Sequence, residues 1–121
     1  MFTGYLLSPE SRTRLLQAFP PKYGRILAHH ITLNFGIKKN DPAPDMPKSV
    51  EVIGHFDEDG VEGLTVAIDG NTVRPDKKLF HITWSLAEDR MPVDSNKYTH
   101  DSVSLDKPIE IKVIPKNFHN P

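Results

Sequence analysis

Short segments in which apolar and polar residues alternate recur along this chain, and such alternation is typical of half-buried strands. It predicts strands at positions 3–7, 26–35, 49–56, 61–69, 79–86 and 108–116. One segment instead carries apolar residues at helical spacing, and it predicts a helix at about 10–19. The apolar stripe of that helix is Leu15, Leu16 and Phe19.

Proline, glycine and acidic residues mark the expected ends of these elements. Ser8 can cap the helix with Pro9 at its first position, and Pro20-Pro21 ends it. The turn 57–60 joins two strands into a hairpin in which Gly60 can take positive φ, and 69–71 is a second turn. Positions 36–48 form a long loop, and the polar segment 87–106 contains one short helical turn.

These elements predict an α+β fold, with compact antiparallel sheets and one or two helices. Eleven prolines and seven glycines in 121 residues favour many turns over a helix bundle. A chain of this length suits one compact domain, taken as residues 1–121.

Composition narrows the function. Fifteen basic and sixteen acidic residues give a net charge of −1, which argues against non-specific duplex binding but leaves room for local charges that hold one phosphate. The absence of cysteine excludes disulfides and thiolate zinc sites. The first residues lack the basic start and the length of a signal peptide, and no apolar run reaches membrane-spanning length, so we expect a cytoplasmic protein.

The sequence contains one short internal repeat, His30-Ile31-Thr32 and His81-Ile82-Thr83, and each copy lies within a predicted strand. Alternate side chains of a strand share a face, so each His points with its Thr, away from the apolar residue between them. One further polar residue, Asn34 or Ser85, is expected on each of these polar faces. If the apolar faces pack in the core, two imidazoles and two hydroxyls would line a cleft.

Such a set of side chains suits phosphoryl chemistry. A neutral imidazole can take a proton from the attacking hydroxyl or water, and a protonated imidazole can give one to the leaving oxygen. The two hydroxyls can hydrogen-bond the other phosphate oxygens. No metal or other cofactor is needed, and which histidine is the acid stays open.

The two motifs resemble those of the two-histidine phosphoesterase superfamily. In that family two His-x-Thr/Ser motifs lie on strands that flank a central cleft, each His acting as acid or base and each Thr or Ser contacting the phosphate. The resemblance implies these roles for His30, Thr32, His81 and Thr83. The run from Arg74 to Leu86, and the 91–96 segment with its Ser-Asn pair, look most like the phosphodiesterase branch found in tRNA ligases.

Seven further residues are candidates for substrate binding, each with an alternative role. Tyr5 could stack on a base or cap the core, and Arg25 could clamp a phosphate or be solvated. Ser95 and Asn96 could contact substrate or only form a turn. Lysines beside the motif strands could attract an anion. The full set of candidates is Tyr5, Arg25, Asn34, Arg74, Ser85, Ser95 and Asn96.

The sequence therefore predicts a metal-independent phosphodiesterase. Its substrate would be a nucleotide or an RNA end with a cyclic phosphate or a ribose-adjacent phosphodiester, and no obligate protein partner or membrane is implied. A bell-shaped pH profile in the neutral region is expected. Two alternatives remain: a binding module for nucleotides or RNA ends that does not turn over, and a metal site from His29, His30 and His55. His29 itself is expected on the apolar strand face, in a structural or supporting role.

Overall fold

A computed structural model describes residues 1–119. In chain order its elements are β1 (Phe2–Leu7), α1 (Pro9–Ala18), β2 (Arg25–Ile26), β3 (His30–Phe35), β4 (Val50–Glu58), β5 (Val61–Ile68), β6 (His81–Leu86), 3₁₀-helices at Pro92–Lys97 and Thr99–Asp101, β7 (Val103–Glu110) and β8 (Val113–Phe118).

The strands form two antiparallel sheets. One has three strands in the order β3-β1-β8, and the other has five in the order β2-β6-β5-β4-β7. The predicted α+β class with antiparallel sheets is confirmed. The two predicted motif strands, β3 and β6, belong to different sheets and lie alongside each other.

Helix α1 begins and ends where the sequence predicts. The Ser8 hydroxyl accepts a hydrogen bond from the Ser11 amide at 3.2 Å, and Pro9 occupies the first turn. Leu15 is fully buried, and Leu16 and Phe19 pack against the same core. Trp84 of β6 donates its indole N–H to the carbonyl of Phe19 at 2.8 Å, which ties the helix end to the five-stranded sheet.

The hairpin of β4 and β5 is also confirmed. Its turn places Asp59 at φ 52° and Gly60 at φ 80°, and the second turn places Asp69 at φ 49° and Gly70 at φ 80°. Left-handed backbone is accessible to Gly and tolerated by Asp, which explains why these residues serve in both turns. Every residue of β5 is buried because it is the central strand of its sheet.

The single strand predicted at 26–35 is wrong. The chain pairs with β6 through Arg25–Ile26, and the Leu27 and Ala28 amides still donate to β6 carbonyls. It then crosses to the other sheet, where β3 pairs with β1. The crossing uses Ala28 in a left-handed conformation, φ 49°, which apolar periodicity cannot reveal.

The last predicted strand, 108–116, is wrong for the same reason. Val103–Glu110 pairs with β4 in the five-stranded sheet, whereas Val113–Phe118 pairs with β1 in the other. Ile111 lies between the two strands and is buried, so the alternation of apolar residues continues across the change of sheet. The polar segment 87–106 contains two 3₁₀-helices rather than one helical turn, and its last residues already belong to β7.

The main apolar core draws on both sheets and on α1, with Tyr5, Leu15, Ile31, Ile82 and Trp84 among its buried members. Within residues 1–119, no helix is long and apolar enough to cross a membrane.

Candidate functional site

The two His-Ile-Thr motifs open onto one cavity of about 410 Å³ between β3 and β6. His30 and Thr32 reach it from the three-stranded sheet, and His81 and Thr83 from the five-stranded sheet. We call this space the cavity. The lining residues are Phe2, Leu27, His29, His30, Thr32, Phe35, Arg74, Lys78, His81, Thr83, Pro92, Val93 and Asn96.

The local geometry of the two motifs is duplicated. Thr32 pairs with Gly4 of β1, and Thr83 pairs with Gly63 of β5. The next residue of each motif strand, Leu33 or Trp84, has no partner in the register and forms a bulge. Each motif is thus a His-x-Thr strand whose Thr faces a glycine and whose alternation changes directly after the Thr.

The bulges decide which side chains beyond each Thr face the cavity. An extra residue reverses the alternation after it. Phe35 therefore lines the cavity, whereas Asn34, predicted to do so, is exposed and lies outside it. Ser85, also predicted on this face, is fully buried and donates to the Glu62 carboxylate at 2.6 Å.

The tautomer of His81 follows from its backbone contact. Its Nδ1 lies 2.9 Å from the carbonyl oxygen of Leu79, which can only accept, so Nδ1 carries the proton and Nε2 presents a lone pair. Burial lowers the pKa of His81; the Leu79 bond opposes this, and cationic Arg74 adds to it. His81 is consequently a neutral imidazole with a free acceptor nitrogen.

His30 lies in an aromatic environment. The Phe2 and Phe118 rings are each 5.0 Å from its ring, centroid to centroid, and its Nδ1 lies 3.0 Å from Nδ1 of His29. Burial, then His29 and His81, lower the pKa of His30 to about 4. Both motif histidines are therefore neutral at pH 7.

A buried serine forms a hydrogen bond with one of the two motif hydroxyls. Ser95, in the first 3₁₀-helix, has no exposed surface, and its hydroxyl lies 2.8 Å from that of Thr83. Asn96 lines the cavity next to it, with its amide donating to the Val93 carbonyl at 3.2 Å. These two residues, predicted as candidates from their loop, are thus brought to the second motif.

The charged side chains of the cavity wall, apart from the histidines, are cationic. Arg74 is only 4 % exposed, forms a two-point hydrogen bond to Asp76 at 2.6 and 3.0 Å, and lies over the Phe35 ring at 5.6 Å. Lys78 also lines the cavity, and none of the described lining residues is acidic. The wall favours an anion.

Two other predicted residues do not reach the cavity. Tyr5 is buried in the core, where burial and two nearby aspartates raise its pKa. Arg25 is exposed and donates to the carbonyls of Glu88 and Arg90 at 3.2 and 2.6 Å. Tyr5 thus packs in the core, and Arg25 is held by the loop after β6.

The lining includes residues that were not among the predicted candidates, and Phe2, His29 and Phe35 are the aromatic ones among them. Strand alternation assigned His29 and Phe35 to the apolar faces. His29, however, precedes β3 and follows the left-handed Ala28, so alternation does not apply to it. The adjacent pair His29-His30 was the sequence feature that could have indicated that His29 also lines the cavity.

The proposed set of three metal ligands does not assemble. His55, on β4 of the five-stranded sheet, bonds the Glu62 carboxylate at 2.8 Å and stacks on Phe19, whereas His30 begins β3 of the other sheet and His29 directly precedes it. In the part of the chain that the structure describes, no three His, Asp or Glu side chains are grouped so as to hold a metal ion.

No family model, curated protein or solved structure matches this chain.

Proposed function

We propose that this protein is a metal-independent phosphodiesterase of the two-histidine type. Its substrate would carry a cyclic phosphate or a ribose-adjacent phosphodiester, on a nucleotide, a signalling oligonucleotide or an RNA end. The observation that carries the proposal is that His30, Thr32, His81 and Thr83 line one cavity whose other charged groups are cationic. The cavity would correspond to the central cleft of that family, and the cytoplasm would supply such substrates.

The chemistry needs one group to accept a proton and another to give one. Nε2 of His81 is a free acceptor, as a base acting on water or a hydroxyl must be. Arg74 and Lys78 would offset the charge of the phosphate, and the hydroxyls of Thr32 and Thr83 would donate to its oxygens. These contacts strengthen as negative charge develops on the oxygens, and so favour the transition state.

The size and the aromatic residues of the cavity favour a nucleotide. A volume of about 410 Å³ lies at the low end of small-molecule sites, roughly 300–1,000 Å³, which suits one nucleotide rather than an extended strand. The exposed Phe35 ring provides a stacking surface, and aromatic rings bind bases of any sequence.

One observation favours the alternative, a nucleotide or RNA-end binding module. A pKa of about 4 leaves His30 unprotonated at neutral pH, and a site without an acid could bind phosphate without cleaving it. Bound phosphate, being anionic, would raise this pKa and restore the acid. The two functions therefore differ in what happens after binding.

The test is turnover on a panel of cyclic mono-, di- and oligonucleotides and of RNA ending in a cyclic phosphate, with EDTA present. We expect product from the wild type and none from His30→Ala or His81→Ala. His100→Ala, an exposed histidine outside the cavity, is the matched control. Binding of panel members without product would establish the binding module, and turnover that EDTA abolishes would contradict the metal-independent mechanism.

A further inference from the structure

His29 and His30 form a contact that the proposed phosphodiesterase mechanism does not use. Their Nδ1 atoms are 3.0 Å apart, with the rings nearly perpendicular at 83°. Two bare nitrogen lone pairs would repel at this distance, so one of the two Nδ1 atoms carries a proton and donates it to the other. The two rings, called here the histidine pair, therefore act as one proton-binding unit.

The two rings of the histidine pair differ in exposure. His30 is enclosed by Phe2, Phe118 and the cavity wall, whereas His29 is exposed to solvent. Burial penalises a charged imidazole, and it acts more strongly on His30 than on His29. An additional proton on the pair is therefore held by the His29 ring.

The groups that face the histidine pair come from several elements. Lys116 of β8 and Arg12 of α1 are cationic and lower the pKa of His29, and His81 of β6 faces His30. Arg12 is itself held by the Ala28 carbonyl, to which its Nε donates at 2.8 Å. Phe118, on β8, contacts both imidazoles with its ring.

We propose that His29 holds the proton that His30 delivers to the leaving oxygen, while His81 is the base. This inference rests on the proposed phosphodiesterase function. His29 is a positioning residue here, because it touches no reacting atom. The structure favours this assignment since the Nδ1 of His81 is engaged by a carbonyl that can only accept, whereas the Nδ1 of His30 is engaged by a ring that can also donate.

The proton balance of this scheme closes. With the anionic phosphate bound, which favours an additional proton on the histidine pair, His29 is a cation whose Nδ1–H donates to Nδ1 of neutral His30, and His30 carries its own proton on Nε2. Water attacks phosphorus and gives one proton to Nε2 of His81. The bond from phosphorus to the ribose oxygen breaks with its electron pair on that oxygen, which takes the Nε2 proton of His30. The Nδ1 proton of His29 moves to His30, so that the positive charge ends on His81.

The pH dependence of kcat/KM tests this scheme. We compare wild type with His29→Asn, whose amide keeps a hydrogen-bonding group near the Nδ1 position but cannot carry the additional proton, and with His100→Asn as the matched control. In His29→Asn the acid proton must reside on His30, so the alkaline limb should move to lower pH. We expect kcat/KM to fall at least tenfold at pH 7 and to approach the wild-type value only toward pH 4, near the pKa of His30.

A structural role for His29 would give a different result. Loss of packing would lower kcat/KM by the same factor at every pH, and this outcome, or an unchanged profile, would overturn the inference. His29→Phe, which keeps a ring but no nitrogen, should reproduce the profile of His29→Asn if proton storage is what matters. If it matched wild type instead, the inference would be wrong.

A second measurement does not depend on turnover. Imidazole ¹⁵N NMR titration of the wild type should show His29 and His30 titrating as a coupled pair, and His30 titrating alone in His29→Asn. Independent titration of the two rings in the wild type would refute the claim that His29 and His30 share a proton. Absence of turnover in the wild type, with coupled titration present, would instead overturn the proposed function and the delivery step while retaining the proton-sharing pair.

Discussion

Burial of His30 should make the stability of this protein depend on pH. The pKa of His30 is lowered to about 4, against an ordinary value of 6.5, because the folded chain encloses the ring. Below about pH 6.5 the unfolded chain binds a proton that the folded chain does not, so acid favours unfolding. The stabilisation is complete above pH 6.5 and is lost as the pH falls toward 4.

The magnitude follows from the two pKa values. Between pH 7 and pH 4.5 the linkage amounts to about 2 kcal/mol of the free energy of unfolding. His30→Leu should remove this part of the pH dependence, so the variant should lose about 2 kcal/mol less than wild type over the same range. The difference between the two proteins cancels the contributions of the titrating groups that both retain, apart from His29, which contacts His30.

Urea denaturation followed by fluorescence measures this difference. Trp84, the one tryptophan of the chain, is fully buried and reports unfolding. Curves at pH 7, 6, 5 and 4.5 for wild type, His30→Leu and the exposed-histidine control His100→Asn give the free energy at each pH. The reasoning would be refuted if wild type and His30→Leu lost the same stability between pH 7 and pH 4.5, or if the control behaved like His30→Leu.

Two further predictions concern the second motif. Gly63→Ala should lower the free energy of unfolding by about 1–3 kcal/mol, because a Cβ there would overlap the buried Phe56 ring. Gly24→Ala, where no atom lies within contact distance, should be close to neutral. Equal urea midpoints for the two variants would contradict this prediction. Ser95→Ala should lower kcat/KM roughly fivefold, since it removes the hydrogen bond that orients the Thr83 hydroxyl; an unchanged value would mean that Thr83 needs no such support.

Local sequence patterns identified much of the secondary structure. The Ser8-Pro9 start of the helix, its buried Leu15 stripe and the glycine turn at Gly60 all depend on residues close together in the chain. The same holds for the His-Ile-Thr strands, whose His and Thr side chains line the cavity. Contacts within a few residues are what propensity and periodicity describe.

The changes of sheet could not be predicted in this way. Between β2 and β3, and again between β7 and β8, the apolar pattern continues while the hydrogen-bonding partner changes. Pairing partners are chosen by contacts distant in sequence, and alternation is the same whichever sheet a strand joins. The left-handed Ala28, which has no glycine or asparagine to signal it, marks the first of these crossings.

Nothing in the sequence indicated the bulges at Leu33 and Trp84, and these bulges change which side chains line the cavity. A strand pattern assumes a fixed period of two, so one unpaired residue moves every later side chain to the other face. Phe35 thereby replaces Asn34 in the cavity wall, and Ser85 joins Glu62 instead. The cavity is more aromatic and less polar than alternation predicts, which bears directly on the ligand.

Phe35 and Asn34 provide a direct test of the first bulge. If Leu33 is the extra residue, Phe35→Ala should weaken binding of a nucleoside monophosphate, because it removes a stacking surface that contributes about 1–3 kcal/mol per base, roughly 5- to 150-fold in Kd. Asn34→Ala should leave the Kd unchanged, since its side chain lies outside the cavity. Regular alternation predicts the reverse, as it would place Asn34 beside the ligand. Titration calorimetry on the two variants separates the two geometries. Inorganic phosphate, which has no base, is the reference ligand, and neither substitution should change its Kd. A loss of nucleotide affinity confined to Asn34→Ala would refute the bulge.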